Sequence, residues 1–448
     1  MSEPRARAAC TALLGAAVIA AAAGAAHAQL PPADTIACPK EVPADTVCHV
    51  GIDPNGAHWL IAMPPNWNRV LVVHARGGPE LQAVGVKRSL ADLSRWAVWV
   101  REGYAYAASQ YRRGGYGALS AAEDTENLRQ LFVARFGKPR RTIMHGQSWG
   151  GLVGARVIEL YASAADGTRN YDGALLTSAV LAGAPRAYYF RLDVRVVYQF
   201  LCRNHPRPDE PQYPAWWGLP ADSKMTAKEL RERINECTGV DLARHQRSAE
   251  QQRRLDEILK VTRIEERSLV GHLNWATFMF ADLVQRRTNG RNPFTNEGVR
   301  YTGSSDDAAL NAGVARYRSD PEAVAWLAND SDFTGRVSIP TLTVHAIGDP
   351  TVFVENQSVY RAIRERAGSA DLLVQTYTDE SEHSFLSTPQ YPALMQALLD
   401  WIDDGRRPTP HAIAARCEAF RARYGATCRF RPDWTPPPFE ARVHPRRH

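Results

Sequence analysis

Several features are missing from this 448-residue sequence, and each absence removes a class of function. No two of its seven cysteines stand close together, and none is interleaved with histidines at zinc spacing, so a zinc site is not expected. No Gly-x-x-x-x-Gly-Lys stretch is present to cradle a phosphate, and no internal repeat points to a solenoid. Charge of one sign is not concentrated. The formal net charge is +6, and the arginine pairs Arg253-Arg254, Arg286-Arg287 and Arg446-Arg447 are scattered. Such pairs read as solvated surface, so no nucleic-acid partner is expected. Long apolar runs are also lacking. The one near the start is interrupted by Gly15 and Gly24 and falls short of a membrane span, so no stable membrane anchor is expected.

That N-terminal segment has a different meaning. Arg5 and Arg7 precede a run rich in Ala, Leu, Val and Ile, which ends in Ala26-His27-Ala28. This is the pattern of a secretory signal over residues 1–28 with an A-x-A cleavage site, so the mature chain is expected to begin at Gln29 in a periplasm or outside the cell. Cys10 lies ahead of the apolar run and does not read as a lipid attachment point. Six cysteines remain: Cys38, Cys48, Cys202, Cys237, Cys417 and Cys428. An even number in an exported chain suggests disulfides. Six allow fifteen pairings and the sequence alone does not choose among them, although the grouping suggests Cys38–Cys48, Cys202–Cys237 and Cys417–Cys428.

What is present is chemistry. The run Thr142-Ile-Met-His-Gly146-Gln-Ser148-Trp-Gly150-Gly151 contains G-x-S-x-G. An apolar stretch leads into it and a helix-like stretch, residues 152–161, leads out. Strand, sharp turn and helix are the context of a nucleophile elbow. The glycines are required because side chains at Gly146 or Gly150 would strike neighbouring backbone. The serine oxygen would then sit at a helix N-terminus, which favours developing negative charge.

Two partners follow in order. The strand-like residues 340–346 end in Ile347-Gly348-Asp349-Pro350, which puts a carboxylate just past a strand end. A second strand-like run, residues 372–377, leads into a polar loop holding His383, ahead of a helix-like stretch at 391–402. Glu355 and Asp371 are weaker candidates for the acid, because one falls in an expected helix and the other begins an expected strand. His74 and His145 read as supports for loop shape, and His345 as a core histidine. His444 and His448 lie in a tail without apolar pattern.

With Ser148, Asp349 and His383 in that order, the chain resembles the α/β-hydrolase superfamily, on the side of esterases, lipases, amidases and peptidases. The resemblance runs over roughly residues 46–405 and is interrupted by a long middle segment. It implies a serine hydrolase working through an acyl-enzyme. His383 would take the Ser148 proton, and Asp349 would hold the imidazole in the correct tautomer. One oxyanion donor is expected from the Trp149 amide. The other is expected from the loop after the strand at 70–73, His74-Ala75-Arg76-Gly77-Gly78. Many members carry His-Gly-Gly here. The intervening Ala75 and Arg76 leave Arg76 and Gly77 both open as that donor.

The rest of the chain supports an α/β layout. Residues 46–52 and 58–63 read as a β-pair, 70–73 and 104–109 as strands, and 90–101 and 121–136 as helices. Strands alternating with helices predict a mostly parallel sheet covered on both faces. The expected organisation is a core at 29–185 and 336–405, a mainly helical cap at 186–335, and a Pro- and Arg-rich extension at 406–448 packed on the core. The cap's clearest helices are at 225–238 and 250–262. Its aromatics (among them Tyr188, Tyr189, Phe190, Trp217, Trp275, Phe280 and Trp326) mostly form its own core, and a few line a pocket. The loop at 292–303 is a candidate to approach the cleft. The leading expectation is an exported hydrolase of small or oligomeric carboxylic esters that needs no cofactor and no metal. Amidase, exopeptidase and polyester depolymerase are rivals, and a non-catalytic binding protein is the alternative of a different class. An exopeptidase taking a free amino terminus would need a cap carboxylate such as Glu250 or Glu265.

Overall fold

Among the described residues nine strands form one sheet, in the order β1-β2-β3-β5-β4-β6-β7-β8-β9. In this computed structural model they are β1 (Asp34–Ile36), β2 (Val47–Ile52), β3 (His58–Met63), β4 (Val70–Ala75), β5 (Ala105–Ser109), β6 (Arg141–Gln147), β7 (Gly173–Thr177), β8 (Thr341–Ala346) and β9 (Leu373–Thr378). Residues 1, 30–82 and 85–446 are described; the expected signal segment beyond Met1, with Cys10, and Arg447 and His448 lie outside the described residues. From Pro31 onward the chain folds as one unit.

Pairings are antiparallel from β1 through β3 to β5. From β5 through β4 and β6 to β9 they are parallel. The parallel strands are buried along almost their whole length, as a sheet covered on both faces requires. Alternate residues serve alternate faces. Leu71, Val73 and Ala75 of β4 join the core under the helices Ala118–Phe136 and Trp149–Tyr161. Val70 and Val72 join the opposite core with Trp96, Trp99 and Leu398.

The chain reverses direction across the sheet at β4, going first to β5 and then back past β4 to β6. Crevices at such switch points, outside the carboxyl ends of the strands, are where open α/β sheets bind ligands. Two strands were not foreseen. β1 hides in the Pro-rich lead-in, and β7 is too short to stand out from the turns around it. The helix expected at 90–101 begins earlier and is divided at Trp96, into Val86–Arg95 and Ala97–Arg101.

Between β7 and β8 the chain is mainly helical. Tyr189–Cys202 packs against Ala249–Thr262, which also packs against Ala227–Thr238. The last two begin in reciprocal caps, Thr226 with Glu229 and Ser248 with Gln251, which fix where each helix starts. The segment from Leu269 to Arg287 is helical with two π-type stretches, Trp275–Met279 and Leu283–Arg287. Apolar side chains of this insertion run into the core beneath one sheet face without a break. Disulfides join Cys38 to Cys48, Cys202 to Cys237 and Cys417 to Cys428. No described helix is long and apolar enough to cross a membrane.

The C-terminal segment differs from its sequence pattern. His444 is buried, and its Nε2 donates to the Val261 carbonyl. Arg446 pairs with the buried Asp193 on the helix Tyr189–Cys202. The tail therefore docks on the insertion, while the helix Pro410–Tyr424 reaches Glu102 on the sheet side through Arg423 and Tyr424.

Candidate active site

The turn after β6 is built as the glycines demand. Ser148 has φ 60° and ψ −126°, a strained conformation that turns its side chain out at the start of the helix Trp149–Tyr161. A Cβ on Gly146 would lie 2.3 Å from the Gly150 carbonyl oxygen. One on Gly150 would lie 2.1 Å from the Ala75 oxygen and 2.3 Å from the Arg76 oxygen. All of these are backbone atoms in a packed turn, so neither residue tolerates a side chain.

Asp349 lies three residues past β8 and His383 five past β9 (β8 ends at Ala346, β9 at Thr378). Both strands are parallel to β6, so all three loops open at one edge of the sheet. There His383 Nδ1 donates to Asp349 Oδ2 at 2.7 Å, and Ser148 Oγ donates to His383 Nε2 at 2.7 Å. A carboxylate can only accept, which fixes the proton on Nδ1. Asp349 Oδ1 accepts from the Thr351 and Val352 amides at 2.8 and 2.9 Å. Burial alone would push this carboxyl's pKa up. The charge of His383 and hydrogen bonds from His345 and His383 outweigh burial and hold it well below the usual carboxylate range.

The remaining candidates fall into place around this chain. Glu355 immediately precedes the helix Asn356–Arg366, and Asp371 lies in a short helical turn before β9; neither is bonded to His383. His345 is buried and bonded at both nitrogens, accepting from Gln357 Nε2 at Nδ1 and donating to the Val352 carbonyl from Nε2. Its Nε2 also lies 3.3 Å from Asp349 Oδ2. His74 and His145 meet beneath the elbow, Nδ1 to Nδ1 at 2.8 Å, among Trp96, Trp99 and Tyr106. Burial and then Arg95 depress the His145 pKa to about 3.

The two amide candidates differ in position. Trp149 is the first residue of its helix, where the N–H has no intrahelical acceptor. Gly77 lies against Ser148, since a Cβ there would be 3.2 Å from the Ser148 Cβ and 2.5 Å from Gln147 Oε1. Arg76 contributes differently. Its buried guanidinium donates to the Gly78 carbonyl at 2.8 Å and lies over the Tyr111 ring at 4.8 Å, so its side chain splints the loop from behind.

A cavity of about 320 Å³ opens on Ser148. Gly77, Gly78, Gln147, Trp149, His383 and Ser384 line its sheet side, and Tyr188, Arg191 and Trp275 its insertion side. Larger hollows lie elsewhere, but none of Ser148, Asp349 and His383 lines them. Two contacts brace the loops. Gln147 Nε2 donates to Ser384 Oγ at 2.8 Å, tying the elbow to the His383 loop. Arg267, from the insertion, donates to the carbonyls of Gly348 and Ser381 and ties together the Asp349 and His383 loops. Residues 292–303 do not line this cavity. Neither Gln147, Arg267 nor Arg191 was singled out from sequence; the x position of G-x-S-x-G was the available signal for Gln147. Among the described residues no group of three or more His, Cys, Asp or Glu is placed to hold a metal ion.

The arrangement can activate a hydroxyl, store its proton on an imidazole and present amides to a developing oxyanion. No protein-family model matches the chain. A stretch of 122 residues is 28% identical to the o-phthalyl amidase of Xanthobacter agilis, over 27% of this chain and 25% of that protein. The match thus spans about a quarter of that relative. Among solved structures, the chain is similar to an esterase from Aspergillus oryzae, with a TM-score of 0.46 and 14% identity over 81% of this chain and 80% of that one. It is also similar to feruloyl esterase B from Aspergillus oryzae, with a TM-score of 0.42 and 13% identity over 84% of this chain and 88% of that one. The fold itself, a mostly parallel sheet flanked by helices with a sharp strand-to-helix turn at Ser148 by its switch point, is the α/β-hydrolase fold.

Proposed function

We propose that this α/β-hydrolase-fold chain is a serine hydrolase that cleaves carboxylic esters through an acyl-enzyme. The observation that carries the reading is the unbroken hydrogen-bond chain from Ser148 through His383 to Asp349. His383 takes the serine proton as Oγ attacks the ester carbonyl, then gives it to the departing alkoxide. Water repeats the sequence on the acyl-enzyme. The amides of Trp149 and Gly77 hold the oxyanion, and Arg76 positions the loop that carries Gly77.

An amidase is the second reading, favoured by the similarity to a protein named o-phthalyl amidase. The exopeptidase reading loses support. Glu250 is engaged by Arg253 and Arg254, and Glu265 by Arg267. The insertion side of the cavity offers no carboxylate to an ammonium group. We further propose residues 186–335 as a cap, residues 406–448 as an extension, and removal of residues 1–28 on export. The three disulfides are compatible with an oxidising compartment.

The test is hydrolysis of paired p-nitrophenyl esters and p-nitroanilides by the protein and its Ser148→Ala variant, with labelling by a fluorophosphonate. Ester cleavage should fall by roughly a million-fold in kcat in the variant. Faster cleavage of anilides would move the assignment to amidase. No turnover and no labelling would leave a binding protein.

A further inference from the structure

Arg191 is a buried cation with no counter-charge. It lies in the first turn of the helix Tyr189–Cys202, 5% exposed, and lines the cavity beside Ser148. Among the described residues its guanidinium makes no hydrogen bond and no ion pair, and its Nε is shut off from solvent without an acceptor. Its surroundings are aromatic. The guanidinium carbon lies 4.5 Å from the Trp275 ring centre, 4.7 Å from Phe190 and 5.2 Å from Tyr188. Tyr188 and Trp275 themselves stack at 4.3 Å.

Such a site works against the fold. A buried charge is costly unless it is paired, and ring faces recover only part of that cost. Arg76 and Arg195 also leave Nε without an acceptor, but their terminal nitrogens are engaged. Arg76 donates to loop carbonyls, and Arg195, one turn along the same helix, donates to Thr277 and to two carbonyls. Burial lowers the pKa of Arg191 to about 10, which leaves it charged at neutral pH.

The rest of the cavity points the same way. Arg88, Arg95 and Arg191 line it together with one acidic residue, Glu80. Arg88 is held by Glu80 at 3.9 Å and by Asp92 at 3.7 Å, which leaves Arg191 as the lining arginine on the insertion side without a carboxylate. The Trp149 indole N–H, also in the cavity wall, has no acceptor among the described residues. Arg95 keeps a contact with Gln147 Oε1 at 3.4 Å and lies over Phe385.

We propose that Arg191 is the receptor for a carboxylate carried by the substrate, so that this hydrolase acts on small esters or amides bearing a second, free carboxylate. The inference rests on the hydrolase reading of Ser148. A planar carboxylate matches the guanidinium fork, and it would supply the missing counter-charge only when substrate is bound. The adjoining aromatic wall of Tyr188 and Trp275 suits an apolar spacer between the carboxylate and the scissile carbonyl.

Two matched series test it and separate the two halves of the substrate. For the acyl half, p-nitrophenyl benzoate is compared with the p-nitrophenyl monoesters of isophthalic and terephthalic acid. For the leaving half, phenyl acetate is compared with meta- and para-acetoxybenzoate. The native protein should favour the carboxylate-bearing member of at least one series by about 10- to 100-fold in kcat/KM. Arg191→Met should abolish that preference by lowering kcat/KM for the carboxylate-bearing ester more than for the neutral one, while Arg191→Lys should retain part of the preference. Equal or better cleavage of the neutral esters by the native protein in both series would overturn the proposal, whether or not the variants fold. So would an equal loss on both members in Arg191→Met, which marks a packing role. Failure of Ser148→Ala to lower any of these rates would instead overturn the hydrolase reading itself.

Discussion

On the sheet side of the cavity, Ser148, His383 and Asp349 are joined by hydrogen bonds inside the protein, and Gln147 and Ser384 brace them; on the insertion side, Arg191 touches ring faces but has no hydrogen-bond or ion-pair partner among the described residues. The two sides answer different demands. Groups that must perform the same proton transfers on every substrate gain from being positioned before substrate arrives. A group that must recognise one substrate gains from an unmet need that only the right ligand fills. On this view, changes on the sheet side should alter kcat whatever the ester, and changes on the insertion side should alter the choice among esters or the stability of the cap.

The largest break in that contrast comes from Asp349→Asn. An amide there can offer an N–H toward Nδ1, which would favour the wrong imidazole tautomer. We expect kcat to fall about 10⁴-fold for neutral and anionic esters alike, with little change in KM. The readout is steady-state kinetics on both members of a matched ester pair. A loss confined to one member, or a loss below about ten-fold, would mean that Asp349 does not orient His383.

How much of this contrast was legible in the sequence depends on which side is considered. The elbow could be read because its geometry forces a local spelling. Only glycine fits at Gly146 and Gly150, and the flanking strand and helix are contiguous with them. Asp349 and His383 could be read because each follows an apolar run that became β8 or β9. The insertion offered no such spelling. Arg191 sits among apolar and aromatic residues of an ordinary helix, and its isolation depends on which side chains from other segments fail to reach it. Trp275 joins it from a segment distant in sequence. The strand β7 was missed because five buried residues between loops, Gly173–Thr177, carry no period. The docking of His444 was missed because its acceptor, the Val261 carbonyl, belongs to a helix in the insertion.

A smaller effect should appear when the insertion is loosened without touching the chemistry. The disulfide Cys202–Cys237 spans 35 residues and ties the helix Tyr189–Cys202 to the helix Ala227–Thr238. Replacing both cysteines by serine should destabilise the protein by about 4 kcal/mol at most, by the loop-entropy argument. The measurement is the urea midpoint, alongside kcat for a small neutral ester. The midpoint should fall while kcat holds within about two-fold for an unchanged proton-transfer chain. A matching collapse of kcat would show that the two sides are not separable.

The smallest effect concerns how each side handles a buried titratable group that lacks a counter-charge. His145 and Arg191 share that predicament, and they resolve it differently. His145 gives up its proton: burial and Arg95 depress its pKa to about 3. Arg191 does not, since even at about 10 it stays charged at neutral pH. A histidine with a depressed native pKa makes stability depend on pH in one direction. Below its unfolded value, near 6.5, the unfolded chain binds a proton that the native protein refuses. Stability therefore falls as pH drops from about 6.5 toward about 3, by up to about 1.4 kcal/mol per pH unit for one such group. His145→Gln should be less stable at neutral pH through lost packing, yet its stability should decline less steeply over that window. Asp332, whose pKa is raised to about 7 by burial, contributes the opposite slope, but it does so in both proteins and cancels in the difference. His74 is also depressed, by burial and then by His145, so removing His145 relaxes its shift and flattens the slope further. Parallel urea-derived stability curves for the two proteins between pH 6.5 and 4 would mean that His145 accepts a proton in the folded state after all. The sheet side would then tolerate an unpaired charge as the insertion side does, and isolation of a cation in this molecule would no longer single out Arg191.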